Sequence, residues 1–305
     1  KGTKSKKAPG FLVSRPALAG AGVGLVFATI FCPPARRGKD IAGGFVYRSA
    51  REAHLIARAQ LGYYRSVGLP LVRSAAELEE HVRGWRPGRL AALLLMEGAD
   101  PIETPAQVGE WVRAGVRAVG LSWARTRYAG GTGAPGGLTE EGVRLLRSMR
   151  RRGLILDLSH LADQSISDAL GLWTGPVMAS HSNSRAVTGR QRELPDQVLA
   201  ELARRGGVAG VSFYRSHLGV SGRAGPGDVV RMVRRLADAT GGPEHVGIGS
   251  DLDGGFGADR APIRGLGELP ALGGLLERHF SPAQVEGILG LNWIEFLRRS
   301  LPAAA

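Results

Sequence analysis

Four polar residues of this chain each stand directly after a short apolar run. Glu97 follows Leu93-Leu94-Leu95-Met96, and His160 follows Ile155-Leu156-Asp157-Leu158-Ser159. His181 follows Val177-Met178-Ala179-Ser180, and Asp251 follows Val246-Gly247-Ile248-Gly249-Ser250. Two imidazoles and two carboxylates gathered in one place suit zinc, which takes His nitrogen and carboxylate oxygen and keeps a position open for water. Taken singly, each residue also has a plain structural reading. A histidine at a strand end is commonly a hydrogen-bonded structural residue, Glu97 could cap a loop, and Asp251 could bond backbone amides in the turn before Gly254-Gly255. Their joint recurrence at four strand ends favours one site. His54, His81, His217, His245 and His279 fall in loops or helices by the same reading and are taken as surface residues.

A common site requires that the strands run the same way. The apolar runs are Val23–Phe31, Ala91–Met96, Ala118–Leu121, Leu154–Leu158, Pro176–Ala179, Val208–Phe213 and Val246–Gly249. They are apolar at successive positions, as strands covered on both faces are, and amphipathic helical stretches separate them. Helix ends are legible: Ser74 with Glu77 and Ser281 with Gln284 have capping-box spacing, Thr104-Pro105 and Thr139 open helices, and Gly115, Gly153 and Gly206-Gly207 close them. Strand followed by helix, repeated, predicts an α/β fold with parallel strands, of the (β/α)8 TIM-barrel type. In a barrel the C-terminal strand ends collect on one face, where catalytic groups sit. The runs are one short of eight, so an open doubly wound sheet is the competing architecture on pattern alone. Nothing linker-like divides residues 11–305, which are read as one catalytic domain. The glycine-rich stretch Tyr128–Gly137 reads as an active-site loop.

Composition bounds the rest. A formal net charge of +13 invites a nucleic-acid partner, but the arginines are scattered. The run Arg150-Arg151-Arg152 stands where a helix ends and complements its dipole, so a solvated surface is the reading and no nucleic acid is expected. The one cysteine, Cys32, excludes an internal disulfide and fits a reducing compartment or indifference to redox, and the cytoplasm is the expected location. Residues 1–10 hold four of the five lysines and read as a flexible or foreign basic tail. Ala17–Phe31 follows it as an apolar run too short to span a bilayer and is read as a buried strand, with no membrane partner.

Several motifs resemble, in order, those of the membrane (renal) dipeptidase family. They are Met96-Glu97-Gly98, Asp157-Leu158-Ser159-His160, Ser180-His181-Ser182, Arg192-Glu193-Leu194-Pro195-Asp196, Gly249-Ser250-Asp251-Leu252-Asp253-Gly254 and Gly290-Leu291-Asn292-Trp293. The resemblance implies a barrel that holds two zinc ions and hydrolyses dipeptides, including some with a C-terminal D residue, and a homodimer is compatible with it. By resemblance Glu97 matches the carboxylate that bridges the metals, and His160 and His181 match the imidazoles of the second metal. Arg192 matches the arginine that pairs with the substrate carboxylate, and Asp251 matches the acid that handles protons, work expected to be shared with Glu97.

Two departures from the family pattern matter. The His-x-Asp pair of the family's first strand occurs nowhere in this sequence, which enters the pattern at Phe11-Leu12-Val13. The expectation is therefore a barrel without its first strand, with unsatisfied edges beside Val23–Phe31 and Val246–Gly249, one incomplete metal site, and at most one well-held metal. Trp123, in Gly120-Leu121-Ser122-Trp123-Ala124, stands where the family has a substrate-binding histidine. It is carried as a substrate-binding residue, and it opens two alternatives: hydrolysis of a lactone or non-peptide amide, or a catalytically impaired binding barrel.

Overall fold

The structure, a computed structural model, describes residues 11–35 and 46–304, so the expected basic tail lies outside the described residues. Each of the apolar runs coincides with a strand in whole or in part. In chain order the strands are β1 (Leu25–Phe31), β2 (Ala91–Glu97), β3 (Val116–Gly120), β4 (Ala129–Gly131), β5 (Ala134–Leu138), β6 (Ile155–Asp157), β7 (Val177–Met178), β8 (Ala209–Ser212) and β9 (Val246–Ser250). The helices are α1 (Arg15–Gly20), α2 (Ala50–Ser66), α3 (Ala75–Arg83), α4 (Val108–Ala114), α5 (Glu140–Arg151) and α6 (Asp163–Leu172). They continue as α7 (Arg185–Thr188), α8 (Asp196–Arg204), α9 (Pro226–Thr240), α10 (Leu269–Leu276), α11 (Pro282–Glu286) and α12 (Asn292–Ser300).

Strands β1, β2, β3, β6 and β7 pair in that order, all parallel. A single parallel bridge between Ala179 and Ala209 continues the order to β8, which pairs parallel with β9. The expected strands thus run one way, in chain order. Alternate residues along them feed two apolar layers. Ala92, Leu94, Met96, Val119 and Leu156 join Leu61, Trp111, Leu145 and Met149 from helices α2, α4 and α5. Ala91, Leu93, Leu95, Ala118 and Ile155 join Leu78 of α3 and Trp293, Phe296 and Leu297 of α12. Burial on both faces is why the strands read as continuous apolar runs.

The start of the chain departs from expectation. Ala17–Phe31 is not one strand: Ser14 accepts a hydrogen bond from Ala17 N and opens α1, with Pro16 in the first turn, and the strand begins only at Leu25. The glycine-rich stretch is likewise not a loop but the antiparallel hairpin β4–β5. The capping signals hold at Ser281, where both halves of the box form, and at Ser74 and Thr139, whose side chains accept from Glu77 N and Gly142 N. Among the described residues no helix is long and apolar enough to cross a membrane.

The edges of β1 and β9 were expected to be bare, and side chains cover them instead. Gln60 of α2 donates through Nε2 to Phe31 O and accepts from Phe31 N, at 2.6 and 2.9 Å, as a neighbouring strand residue would. Tyr64 donates to Thr29 O at 2.8 Å. On β9, Asn292 donates to Val246 O at 2.7 Å and the Trp293 indole to Ile248 O at 3.1 Å. These carbonyls are two residues apart and so lie on one side of the strand. Gly247 between them is required, because a Cβ there would stand 2.3 Å from Trp293 Nε1. The same indole packs edge-on against Phe27 of β1, ring centroids 5.0 Å apart, so one side chain touches both β1 and β9.

Trp293 therefore combines a polar and an apolar contribution that substitution separates. Trp293→Phe, which loses the N–H and part of the fused ring but keeps an aromatic ring in the gap, is expected to lower unfolding free energy by about 1–2 kcal/mol. Trp293→Ala, which also empties the packing volume, should cost about 3–5 kcal/mol. Urea denaturation of both variants gives the comparison, and equal losses would show that the indole fills no gap.

Candidate metal and catalytic site

Strand register lines up the site. Phe31, Glu97, Gly120, Asp157 and Met178 are successive partners across β1, β2, β3, β6 and β7. Glu97 belongs to this row, and Trp123, His160 and His181 each follow it by three residues on their own segments. The result is convergence. His160 Nε2 lies 3.0 Å from Glu97 Oε1, His181 Nε2 lies 3.5 Å from the same oxygen, and the two ring nitrogens are 3.0 Å apart. Ligand atoms on tetrahedral zinc, with bonds of about 2.0–2.2 Å, stand about 3.3–3.6 Å from one another. The three atoms therefore stand within about 0.3 Å of the spacing of one face of such a site, and no other cluster of this kind occurs among the described residues.

Backbone and outer contacts hold this arrangement. All four non-glycine residues with positive φ in the described structure lie here: His160 at 70°, Ser250 at 33°, Asp251 at 61° and Asp253 at 63°. Strained backbone concentrated at one place is the pattern of a functional site. Ser180 O fits against Gly210 and Gly249, where added Cβ atoms would come within 2.0 and 2.2 Å of it, so two glycines admit the backbone that carries His181. The buried Asp157 accepts from Ser159 N, Ser180 N and the Ser180 hydroxyl, the last at 2.6 Å. Ser180 Oγ, its own proton given to Asp157, accepts from His181 Nδ1–H at 2.7 Å. That chain leaves the His181 Nε2 lone pair directed at the cluster.

The charges are strongly coupled. Burial opposes ionisation of Glu97, but hydrogen bonds with His160 and His181 outweigh it and hold the carboxyl well below the usual carboxylate range. His160 is pushed down to about 3, by burial and then by the Arg192 charge. For His181 burial also pulls downward, but Asp251 and Glu97 prevail and its pKa is raised. Asp251 is pushed up to about 7, chiefly by burial. Its side chain makes no hydrogen bond to the turn amides among the described residues. The neighbouring Asp253 takes the structural role instead, accepting from Leu12 N and Val13 N at 3.1 and 2.8 Å.

Arg192 is buried, 7% exposed, among residues that carry this charge. Its Nη1 donates to Ser182 Oγ at 2.8 Å and its Nη2 to His181 O at 2.9 Å, while Nε–H has no acceptor among the described residues. The Trp123 ring lies 6.0 Å from the His160 ring and 5.3 Å from that of Phe31, which it meets edge-on. The structure thus brings Glu97, His160, His181, Arg192, Asp251 and Trp123 into one region.

The reading of the remaining histidines as surface residues holds only for His279. His81 Nε2 bonds Gly24 O, His54 Nδ1 bonds Pro101 O and His245 Nδ1 bonds Gly207 O, at 2.8–3.0 Å. His217 belongs to a polar layer beneath Arg192. Its Nδ1 meets Ser212 Oγ at 3.0 Å and its Nε2 lies 3.7 Å from Oε1 of Glu193, which is fully buried. Asn183 N donates to the other Glu193 oxygen at 2.6 Å. Helical or loop position alone carries no sign of such long-range contacts. The serines and Asp157 stood inside recognised motifs, yet their roles depend on pairings across strands.

The family model described as membrane dipeptidase (peptidase family M19) matches residues 5–302. The dipeptidase verJ of Clonostachys rogersoniana is 32% identical over 231 residues, covering 73% of this chain and 58% of the relative. The dipeptidase tcpJ of Claviceps purpurea is 31% identical, over 76% of this chain and 56% of its own length. The chain thus spans a little over half the length of these curated relatives. Among solved structures, a metallo peptidase from Rhodobacter sphaeroides, liganded with a phosphinate mimic of the dipeptide L-Ala-D-Ala, superposes with a TM-score of 0.83 at 27% identity, covering 97% of this chain and 92% of that one. These likenesses show the expected fold class, that of the barrel-type metal-dependent hydrolases.

His217 gives the site a measurable pH signature. Burial, then the charges of Arg192 and His181, push it down to about 2 from an ordinary 6.5. The unfolded chain then takes up a proton that the folded chain refuses, so this contribution is intact above about pH 6.5 and is lost as pH falls below it. In urea denaturation between pH 7 and 5, His217→Gln should lose stability with a slope smaller by about one proton equivalent than the unmodified chain. Parallel slopes would mean that His217 protonates freely in the folded state.

Proposed function

Because the chain belongs to the membrane dipeptidase family, peptidase family M19, we propose that it is a metal-dependent hydrolase of dipeptides that holds zinc through Glu97, His160 and His181. The observation that carries this reading is the approach of three ligand atoms to 3.0–3.5 Å with no proton count that suits all of them. Two facing ring nitrogens beside a carboxylate oxygen are best served by a cation. The Rhodobacter neighbour's dipeptide mimic supports a dipeptide as substrate. When bound, zinc supplies Lewis-acid activation of water and of the scissile carbonyl.

The chain's own residues do the rest. Asp251, pushed up to about 7, exchanges a proton near neutrality and is the group suited to take it from water and return it to the leaving amine. Glu97, held ionised, is suited to binding the cation and not to moving the proton, so the expected sharing of that work falls to Asp251 alone. Arg192 has one buried N–H without an acceptor, a donor that a substrate carboxylate would satisfy. Trp123 and Phe31 form an apolar wall beside His160 and are suited to an apolar substrate side chain. The same wall is what favours the second reading, a non-peptide amide or lactone. Cys32, buried and pushed up to about 12 by burial and Asp100, is an unreactive thiol, compatible with our placing the protein in the cytoplasm and equally with indifference to redox.

Zinc titration of the purified chain is expected to show one tight site that His181→Ala abolishes. Arg192→Lys, which puts a point charge in place of a planar fork, should lower kcat/KM on dipeptides about ten- to a hundredfold, mainly through KM. Dipeptides blocked as C-terminal amides should be poor substrates of the unmodified enzyme. Hydrolysis of amides and free dipeptides at the same rate would remove the carboxylate clamp, and faster turnover of lactones than of any dipeptide would favour the second reading.

A further inference from the structure

The hairpin β4–β5 has no part in the chemistry so far, yet it is seated on the site with little tolerance. Thr132 is at its tip, between Gly131 and Gly133, the latter at φ 64°. A Cβ on Gly131 would stand 1.9 Å from Ala124 O, and one on Gly130 2.5 Å from Gly136 O, so only glycine allows this approach. Three hydrogen bonds fix the backbone around the tip: Ser122 Oγ to Gly130 O at 2.8 Å, Ala162 N to Gly130 O at 3.2 Å and Thr132 N to Trp123 O at 3.0 Å. The tip is thereby tied to the segments that follow β3 and β6. Thr132 Oγ lies 3.0 Å from His160 Nδ1 and 3.5 Å from His160 O.

From this geometry we infer that Thr132 is a positioning residue for the metal ligand His160, and that the glycine-rich hairpin serves to deliver its hydroxyl. The inference rests on the metal reading. An imidazole that binds a cation through Nε2 carries its proton on Nδ1, and that N–H needs an acceptor. Thr132 Oγ is that acceptor, while its own proton turns to His160 O, which can only accept. The two imidazoles are therefore held in different ways. His181 leans on Ser180 and through it on the buried carboxylate of Asp157. His160, at φ 70°, has Thr132 as the only Nδ1 partner among the described residues.

The test compares Thr132→Val, which keeps the branched shape and loses the hydroxyl, with Thr132→Ser, which keeps the hydroxyl. Zinc affinity is measured by competition with a fluorescent chelator, and metal-free thermal unfolding reports the fold. Thr132→Val should bind zinc about ten- to a hundredfold more weakly, and Thr132→Ser as tightly as the unmodified chain. Should valine prove unstable, Thr132→Ala removes the same hydroxyl without the branch and should show the same loss. Equal affinity in Thr132→Val or Thr132→Ala and the unmodified chain overturns the role of Thr132 and leaves the metal reading standing. A loss in Thr132→Ser as large as in Thr132→Val would assign the effect to the methyl group and overturn it too. Failure of the unmodified chain to bind zinc overturns the metal reading, and the role of Thr132 with it.

Discussion

Holding a carboxylate oxygen and two imidazole nitrogens within 3.5 Å of one another, largely out of water, is unfavourable unless positive charge is shared among them. The surrounding structure reads as the means of enforcing that contact. Parallel register sets Glu97 in one row with Asp157, and the segments after β6 and β7 turn back so that both histidines overhang it. Positive φ at His160 and the two glycines that admit Ser180 O are local concessions to the same end. The opposite shifts of His160 and His181 express the contact electrostatically: burial and the Arg192 charge lower the first, while Asp251 and Glu97 raise the second.

Around this centre polarity is graded. Asp157 is buried with its oxygens engaged by two backbone amides and a hydroxyl, and through the hydroxyl it orients Ser180. Arg192 and Glu193 are less fully matched, each retaining one buried polar atom without a hydrogen-bond partner among the described residues. Such atoms are rare in native interiors. Their adjacency in sequence places one charge toward the histidines and the other toward Asn183 and His217. Unmet hydrogen-bonding capacity on the arginine, one step from the candidate metal ligands, is where an incoming anion has most to gain.

How much of this the sequence disclosed depended on the range of the signal. Strands covered on both faces leave an uninterrupted apolar run, so all seven were legible, as were the polar residues that end them. Helix caps at Ser281 and Thr139 were legible because capping is decided within four residues. What stayed hidden was decided between segments distant in the chain. His217 and His81 look like surface residues until Ser212, Glu193 and Gly24 are brought to them. The run Ala17–Phe31 is apolar throughout, yet its first part is helical, because Ser14 and Pro16 set a helix start that hydrophobicity alone does not reveal. In the hairpin β4–β5, glycines signal close approach without saying what is approached.

The side chains along β1 and β9 bear on how the molecule meets others of its kind. A strand edge with free amides and carbonyls is a template on which another chain can continue the ladder. Here Phe31 is engaged on both its N–H and C=O by Gln60, Thr29 by Tyr64, and Val246 and Ile248 by Asn292 and Trp293. A foreign strand could add at these positions only after displacing side chains of α2 or α12. The latter include an indole packed into the apolar layer, whose removal would expose Phe27 and Phe296. Resistance to edge-to-edge aggregation is thus tied to the packing of two helices, and should fail when they loosen and not before.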